Sequence, residues 1–216
     1  MFDLDGTIVD RDRLVVHCTL EVAKRLLGKT LNPDRISWGL HETDTILRLT
    51  RQLSRDCSEQ ALDAYTDCLK TNLKMWEVFP GIPGLLERLR ESGKQIALVT
   101  SVPNRTLVRE ALEGLTLKQY FAAVVTGEDV TRYKPDPEGI QMVLKRMEVR
   151  PSRVIMVGDS ASDIQAGRKA GVITGAALWG SKAMRDLWGH IASQARPDFE
   201  FQTVEELDHF LFPARV

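Results

Sequence analysis

The first residues of the chain, Phe2-Asp3-Leu4-Asp5-Gly6-Thr7, place two carboxylates two positions apart directly after a short apolar run. Side chains alternate between the two faces of a strand, so Asp3 and Asp5 point to the same side and their negative charges are crowded. A bound cation would relieve that repulsion, and Gly6 permits the sharp bend of a loop at a strand end. In isolation, this stretch is more typical of a strand that runs into an Asx turn.

Beyond residue 78, continuous apolar runs alternate with amphipathic segments. Strands buried on both faces are predicted at residues 96–99, 122–125, 154–157 and 173–178. Helices are predicted between them, one with Asp136 as its N-cap and Pro137 in its first turn. A last helix should start at the capping box Thr203-Val204-Glu205-Glu206. This alternation predicts an α/β fold with a doubly wound parallel sheet, which is a Rossmann-like core.

Residues 11–78 carry helical periodicity and almost no strand signal. Two apolar seams with spacings of three and four are present, namely Leu14, Cys18, Val22 and Leu26, and then Leu62, Tyr65, Leu69, Leu73 and Trp76. Ser58 is a candidate N-cap for the second seam, and a weaker amphipathic segment contains Ile46, Leu49, Thr50 and Leu53. We therefore predict a core domain at 1–10 and 79–216, and an inserted helical-bundle cap at 11–78.

The composition excludes several classes of function. The 216 residues include 29 basic and 30 acidic side chains, so the net charge of −1 gives no electrostatic case for nucleic acid. No apolar run approaches membrane-spanning length, and no dinucleotide or P-loop glycine motif is present. Cys18, Cys57 and Cys68 are odd in number and form no C-x-x-C, which favours reduced thiols and a cytoplasmic protein.

Polar residues follow three of the predicted strands and one loop. Parallel sheets bind ligands beyond the carboxyl ends of their strands, and those ends carry Asp3 with Asp5, Thr100 with Ser101, and Asp159 with Asp163. Lys134 lies in a loop that two prolines stiffen. Each residue alone has an ordinary structural alternative, such as a helix N-cap for Thr100, Ser101 or Asp163, and a solvated side chain for Lys134.

Taken in order, four segments resemble the motifs of the haloacid dehalogenase superfamily and, within it, the phosphoglycolate-phosphatase-like group. They are Asp3-Leu4-Asp5-Gly6-Thr7, Val99-Thr100-Ser101, Lys134-Pro135-Asp136 and Gly158-Asp159-Ser160-Ala161-Ser162-Asp163, which span nearly the whole core. The helical stretch 11–78 sits where this group inserts its mobile cap, and Ala177-Leu178-Trp179-Gly180 resembles the segment after the last core strands.

The chain departs from the family pattern in one place. Relatives carry several apolar residues before the first aspartate, which form a central strand, whereas only Met1 and Phe2 precede Asp3 here. A late start, a truncation and a native stub are all open. A short central strand predicts that its neighbours lack ladder partners and that Asp3 is held less rigidly.

The resemblance implies a role for each motif residue. Asp3 would be the nucleophile that forms an aspartyl-phosphate, and Asp5 the general acid and then the base for water. Mg²⁺ would be held by the Asp3 carboxylate, the Asp5 backbone carbonyl and Asp159, with Asp163 supporting these ligands from behind. The phosphate oxygens would be bound by Thr100, by Lys134 as a point charge, and by the backbone N–H groups of Leu4 and Ser101.

The sequence therefore predicts a magnesium-dependent phosphatase that hydrolyses the phosphate monoester of a small metabolite, as a monomer or homodimer. A β-phosphoglucomutase-like sugar-phosphate mutase shares all four motifs, and a catalytically silent phosphate-binding domain is a further alternative. A dehalogenase is disfavoured because it needs neither Asp5 nor a metal. A phosphonatase would need a Schiff-base lysine in the cap, and nothing distinguishes one among Lys24, Lys29, Lys70 and Lys74.

Four other residues have competing interpretations. Trp38 and His41 lie in a cap loop and are candidates for substrate contact, although packing for Trp38 and solvation for His41 are the more ordinary roles. Trp76 continues an apolar seam and is expected in the core. Arg105 follows the second motif but is at least as typical of a helix surface.

Overall fold

A computed structural model describes residues 1–28, 30, 32, 55–180 and 196–213 of the chain. The chain divides into two compact units, one of Met1–Asp10 with Val78–Val216 and the other of Arg11–Glu77. This division lies one residue from the boundary predicted at residue 79. Among the helices of the described residues, none is both long enough and apolar enough to cross a membrane.

The first unit is built on a parallel sheet. Two short strands, β1 (Val9–Asp10) and β2 (Glu77–Val78), pair with each other and form a sheet of their own. In the main sheet, parallel pairs join β3 to β4, β5 to β6 and β6 to β7, with the bounds β3 (Ala97–Val99), β4 (Ala123–Val125), β5 (Ile155–Gly158), β6 (Ile173–Ala177) and β7 (Phe199–Phe201). Phe2 bridges Leu98 and Val157. The order is therefore β4, β3, the N-terminal segment, β5, β6 and β7.

The short N-terminal segment is hydrogen-bonded on both sides. Phe2 N donates to Ala97 O and Phe2 O accepts from Val99 N, both at 2.9 Å, while Asp3 N donates to Val157 O at 2.9 Å. The expectation that the neighbours of Asp3 lack ladder partners is therefore wrong at residues 2 and 3. Residues 1–3 are enough because they make two backbone hydrogen bonds to the strand on each side, and these fix the backbone of Asp3.

Helices alternate with these strands, and the predicted α/β fold is confirmed. The helical unit contains α1 (Asp12–Leu27) and α2 (Arg55–Thr71), and the sheet unit contains α3 (Ile82–Glu91), α4 (Arg105–Gly114), α5 (Glu138–Arg146), α6 (Ala161–Ala170) and α7 (Val204–Leu211). The apolar faces of α5 and α6 pack on the sheet in one buried cluster, which includes Val99, Val125, Ile140, Val143, Met156 and Ala166. This burial holds the carboxyl ends of β3 and β5 in place.

Several local expectations differ from the structure. Ser58 lies inside α2, because that helix already runs from Arg55. Strand β7 was not predicted, since three residues with one central charge carry little strand signal. Pro137, not Asp136, is the residue that flanks α5, although Asp136 Oδ1 still accepts from Glu138 N at 3.0 Å. Trp38, His41 and the segment from Ile46 to Leu53 lie outside the described residues.

A disulfide joins Cys18 in α1 to Cys68 in α2, with a Cα–Cα distance of 5.6 Å. The expectation of reduced thiols is therefore wrong for this pair. An odd cysteine count gives no information about which helices face each other, and these two residues are 50 positions apart. Because disulfides persist mainly in oxidising surroundings, the pair removes the ground on which the cytoplasmic location was predicted.

We expect the disulfide to contribute strongly to the stability of the helical unit. Closing a loop of 50 residues in the unfolded chain corresponds to about 4 kcal/mol in the chain-entropy model. Cys18→Ser should therefore lower the free energy of unfolding by roughly that amount, and a dithiol reductant should do the same to the unaltered protein. Urea unfolding with and without reductant measures both effects, with Cys57→Ser as the control. An unfolding curve that reductant leaves unchanged would contradict this role.

Candidate active site

The segment Asp3–Thr7 closes into a tight turn at the end of its strand. Leu4 O accepts from Ile8 N at 2.9 Å and from Val9 N at 3.0 Å. Gly6 has φ of 73°, and a Cβ at this position would lie 2.0 Å from Asp159 Oδ2. Only glycine fits, because any side chain would be strained in this backbone conformation and would collide with Asp159.

Lys134 is the centre of a buried ion-pair network. Its Nζ donates to Asp3 Oδ1 and Asp163 Oδ1, each at 2.5 Å, and to Val99 O at 3.1 Å. These three bonds use all three protons of the ammonium group. The lysine is only 8% exposed, so the interpretation as a solvated side chain is wrong. The first, second, third and fourth sequence motifs therefore meet at one side chain.

Asp163 is held at the start of α6. Its Oδ2 accepts from Ser160 N at 3.1 Å and from Ser160 Oγ at 2.5 Å, which forms a capping box with Ser160 as the N-cap. Asp163 is thus the third helical residue and not the N-cap itself. A Cβ on Gly158 would lie 2.4 Å from Asp163 Cγ. Glycine at 158 makes room for the carboxylate, and Ser160 orients it toward Lys134.

Asp3, Asp159 and Asp163 form a group whose carboxylate oxygens lie within 4.8 Å of one another. Burial raises the pKa of Asp3 to about 7, opposed by Lys134 and reinforced by the charges of Asp163 and Asp5. Burial also raises the pKa of Asp159 well above its ordinary value, with Asp3 and Asp163 adding to the shift. Negative charge is therefore in excess at this point, and hard oxygen donors of this kind fit a divalent cation such as Mg²⁺.

The carboxylate cluster also changes the pKa of Lys134. Burial by itself lowers the pKa of Lys134, but the neighbouring charges of Asp163 and Asp3 outweigh it and hold that pKa above its ordinary value. Lys134 is therefore a permanent cation at any pH near neutrality. Both oxygens of Asp163 are engaged, by Lys134 and Ser160, which fits the predicted role behind the direct metal ligands.

The residues predicted to bind phosphate lie next to this cluster along the chain. Thr100 follows Val99, whose carbonyl accepts from Lys134, and its Oγ1 accepts from Val102 N at 3.1 Å. That hydroxyl keeps its own proton for donation. Ser101 Oγ is buried without a hydrogen-bond partner in the described structure. Leu4 is fully buried, so any role in binding belongs to its backbone N–H.

Trp179 and Gly180 lie against the Asp3–Thr7 segment. Trp179 Nε1 donates to Thr7 O at 3.0 Å, and a Cβ on Gly180 would lie 3.2 Å from Gly6 O. Trp179 and Gly180 belong to a segment that resembles the family, but no sequence pattern predicted this contact, because 172 residues separate Trp179 from Thr7. The pair fixes the backbone of the turn that carries Asp5.

Two other residues have the ordinary roles. Arg105 is largely exposed and donates to Asp129 Oδ1 at 2.8 Å, so it belongs to a surface ion pair. Trp76 is buried in the helical unit, where the Arg11 guanidinium lies 4.7 Å from its ring centroid. Both expectations are confirmed.

The fold agrees with comparisons to known proteins. The family model of haloacid dehalogenase-like hydrolases matches residues 1–177, and the chain belongs to this family. The predicted resemblance to the phosphoglycolate-phosphatase-like group is confirmed, and the chain is a phosphatase of the haloacid dehalogenase type.

Three similar proteins illustrate the likeness. A phosphoglycolate phosphatase from Pseudomonas putida is 30% identical over 188 residues, covering 80% of this chain and 66% of that protein. The pyrophosphatase PpaX of Bacillus velezensis is 28% identical over 222 residues, covering 97% of this chain and 94% of that protein. A crystal structure from Haemophilus somnus, described as a predicted phosphoglycolate phosphatase, has a TM-score of 0.83 at 20% identity and covers 97% of this chain and 96% of its own.

Proposed function

We propose that this phosphatase hydrolyses the phosphate monoester of a small metabolite through an aspartyl-phosphate on Asp3, and that it requires Mg²⁺. The observation that carries the proposal is the buried network in which Lys134 joins Asp3 to Asp163. Phosphoryl transfer depends mainly on positioning and on neutralising charge. A permanent cation in contact with a buried carboxylate positions that carboxylate and neutralises its charge.

Asp3 is suited to attack phosphorus because its backbone is bonded to β5 and its carboxylate is oriented by Lys134. A dianionic phosphate would otherwise be repelled by this carboxylate, and the lysine offsets that repulsion. The bond from phosphorus to the leaving oxygen breaks as the bond to Asp3 forms, and water then cleaves the aspartyl-phosphate.

Asp5 would donate a proton to the leaving alcohol and later remove one from the attacking water. Such a role needs a carboxyl that can hold a proton near neutral pH. The turn of residues 4–9 and the contact from Trp179 to Thr7 fix the backbone on both sides of Asp5. Thr100 and the N–H groups of Ser101 and Leu4 would hold the non-bridging oxygens.

Mg²⁺ would be held by the carboxylates of Asp3 and Asp159 and by the Asp5 carbonyl. When bound, it would supply charge neutralisation to the phosphate and to the crowded carboxylates. The raised pKa values of Asp3 and Asp159 support this assignment, since burial and the neighbouring carboxylates both disfavour their charged forms and a cation would favour them.

The helical unit would act as a cap and select the substrate, with a monomer or homodimer as the active form. Release of inorganic phosphate from a panel of phosphorylated metabolites tests the proposed function. Phosphoglycolate and pyrophosphate belong in the panel because similar proteins carry those names. Conversion of a hexose phosphate into its isomer without release of phosphate would instead establish the mutase.

We expect activity to vanish in excess chelator and to return with Mg²⁺ but poorly with Ca²⁺. Calcium takes more ligands at longer distances than magnesium, and so would displace Asp3 from the geometry of in-line attack. Initial rates after chelation and repletion with each ion measure this, with zinc-free buffers as the control for trace metals. Full turnover in excess chelator would overturn the metal assignment.

A further inference from the structure

The loop at residues 130–137 brings Lys134 into the buried network. Val130 packs against the buried cluster at the start of the loop, but little apolar burial holds the residues on either side of Lys134. Thr131, Arg132 and Tyr133 are exposed, as is Pro135, whereas Lys134 is buried. The ammonium must nevertheless meet three acceptors at hydrogen-bond distance. Polar contacts from outside the loop must therefore supply the precision that packing supplies elsewhere.

One carboxylate outside the site supplies three of these contacts. Glu138 Oε1 accepts from Thr131 N at 2.9 Å, and Glu138 Oε2 accepts from Thr131 Oγ1 at 2.9 Å and from Arg132 N at 3.1 Å. Hydrogen bonds to an ionised acceptor are stronger than those between neutral groups. The Thr131 backbone and hydroxyl donors, together with Arg132, hold the pKa of Glu138 below its ordinary value, so the acceptor stays charged near neutral pH.

Glu138 is itself rigidly placed. It is the first residue of α5, and its N–H donates to Asp136 Oδ1 at 3.0 Å. The next residue, Gly139, lies so close to β3 that a Cβ there would be 3.1 Å from Val99 Cγ1. Val99 O is also the backbone acceptor of Lys134 at 3.1 Å. Gly139, which follows the loop, and the ammonium group of Lys134 thus both contact Val99 of the sheet.

A second contact holds the other side of the loop. Lys169 Nζ, on α6, donates to Pro135 O at 2.9 Å. The same helix carries Asp163, which accepts from Lys134. Lys169 therefore links the loop to α6, the helix that carries Asp163. Glu138 links the loop to α5, which packs on the sheet.

We propose that Glu138 is a positioning residue for Lys134, which fixes the loop so that the ammonium reaches Asp3 and the bound phosphate. The carboxylate does not touch the reacting atoms; it acts through the backbone of Thr131 and Arg132. The proposal deepens the proposed phosphatase mechanism and rests on it. It predicts that a half-buried acid outside the four sequence motifs affects the catalytic rate.

Glu138→Gln tests this directly, since an amide keeps the size of the side chain but turns a donor toward the N–H groups. Glu138→Asp is the conservative rescue, because it keeps the charge with a shorter reach. Glu113→Gln is the matched control, for Glu113 is an exposed acid that pairs with Lys118. The measurements are hydrogen exchange of residues 130–137, calorimetric affinity for inorganic phosphate, and kcat and KM.

In Glu138→Gln, the amides of the loop should exchange roughly tenfold to a hundredfold faster, as expected when charge-assisted bonds are lost. A displacement of the ammonium by about 1 Å can cost on the order of a hundredfold in rate, so kcat should fall by roughly ten to a hundredfold. Affinity for inorganic phosphate should weaken, and Glu138→Asp should recover part of each loss. The melting temperature should stay close to that of the control.

The outcomes separate the two proposals. Unchanged loop exchange, or faster exchange with kcat and phosphate affinity equal to the control, would overturn the positioning role while leaving the phosphatase intact. Absence of turnover by the unaltered protein on every phosphate ester would overturn the proposed function instead. In that case, faster loop exchange with weaker phosphate binding in Glu138→Gln would still support the positioning role.

Discussion

Asp3→Asn should abolish phosphate release and leave no covalent phospho-enzyme. The amide is a poor nucleophile, and no other described carboxylate in the cluster is held by both the central strand and Lys134. Initial rates on the best substrate of the panel measure the loss. Acid-quenched samples of the unaltered protein should show the added mass of one phosphoryl group, which the variant should lack.

The same substitution makes a prediction about pH that does not require activity. Asp3 has a folded-state pKa of about 7 against an ordinary value of 3.8, so the folded state binds its proton more tightly than the unfolded state. The stability that this proton gives is complete at low pH and is lost as the pH rises toward 7. Asparagine cannot ionise, so metal-free Asp3→Asn should gain stability relative to the unaltered protein between about pH 4 and 7.

Urea unfolding of both proteins in chelator across that range measures the difference, and the titrations of groups outside the cluster cancel. Asp3→Asn also removes a charge that raises the pKa of Asp159, which changes the stability in the same direction as the pH rises. Asp63→Asn, at an exposed position of α2, is the control for the removal of a carboxylate outside the site. A difference between Asp3→Asn and the unaltered protein that is flat with pH would mean that Asp3 ionises normally. Residual phospho-enzyme in the variant would mean that the nucleophile lies elsewhere.

The alternation of apolar runs and amphipathic segments was enough to predict the core strands, since buried parallel strands such as 96–99 and 154–157 have an unmistakable composition. It was not enough for β7, where Phe199 and Phe201 flank a glutamate and only pairing with β6 defines the strand. The disulfide of Cys18 with Cys68 depends on how α1 faces α2. Such long-range pairing is set by packing, about which local periodicity carries no information.

At the site, motif order predicted which residues would assemble, but not how each is held. Lys134 could be assigned as a phosphate partner, whereas its bond to Val99 O and its double pairing with Asp3 and Asp163 needed coordinates. The roles of Ser160 and Glu138 were missed for the same reason. Glu138 accepts from the backbone N–H groups of Thr131 and Arg132, and the identity of a residue does not reveal where its N–H points. Ser160 holds Asp163 through both its N–H and its hydroxyl group, and the direction in which this orients the carboxylate is known only from the structure.

Lys134→Met should remove activity and destabilise the fold together. The change keeps an unbranched chain but leaves two buried carboxylates without their shared cation, and removing one member of a buried ion pair typically costs about 3–5 kcal/mol. Loss of one preorganised charge at a transferring phosphoryl group typically lowers kcat by about 10²–10³-fold. Urea unfolding and initial rates measure the two effects, with Lys145→Met, at an exposed position of α5, as the control.

The destabilisation should depend on pH and on metal in a defined direction. Lys134 lowers the pKa of Asp3, so its removal raises that pKa further and the metal-free variant should lose stability as the pH rises past neutrality. Mg²⁺ would replace the missing positive charge, so it should stabilise Lys134→Met more than the unaltered protein, and more at pH 8 than at pH 5. An equal effect of Mg²⁺ on both proteins would mean that lysine and metal do not share these carboxylates. Stability and kcat equal to those of Lys145→Met would contradict the central place of Lys134, because a buried cation that neutralises Asp3 and Asp163 cannot be removed without cost.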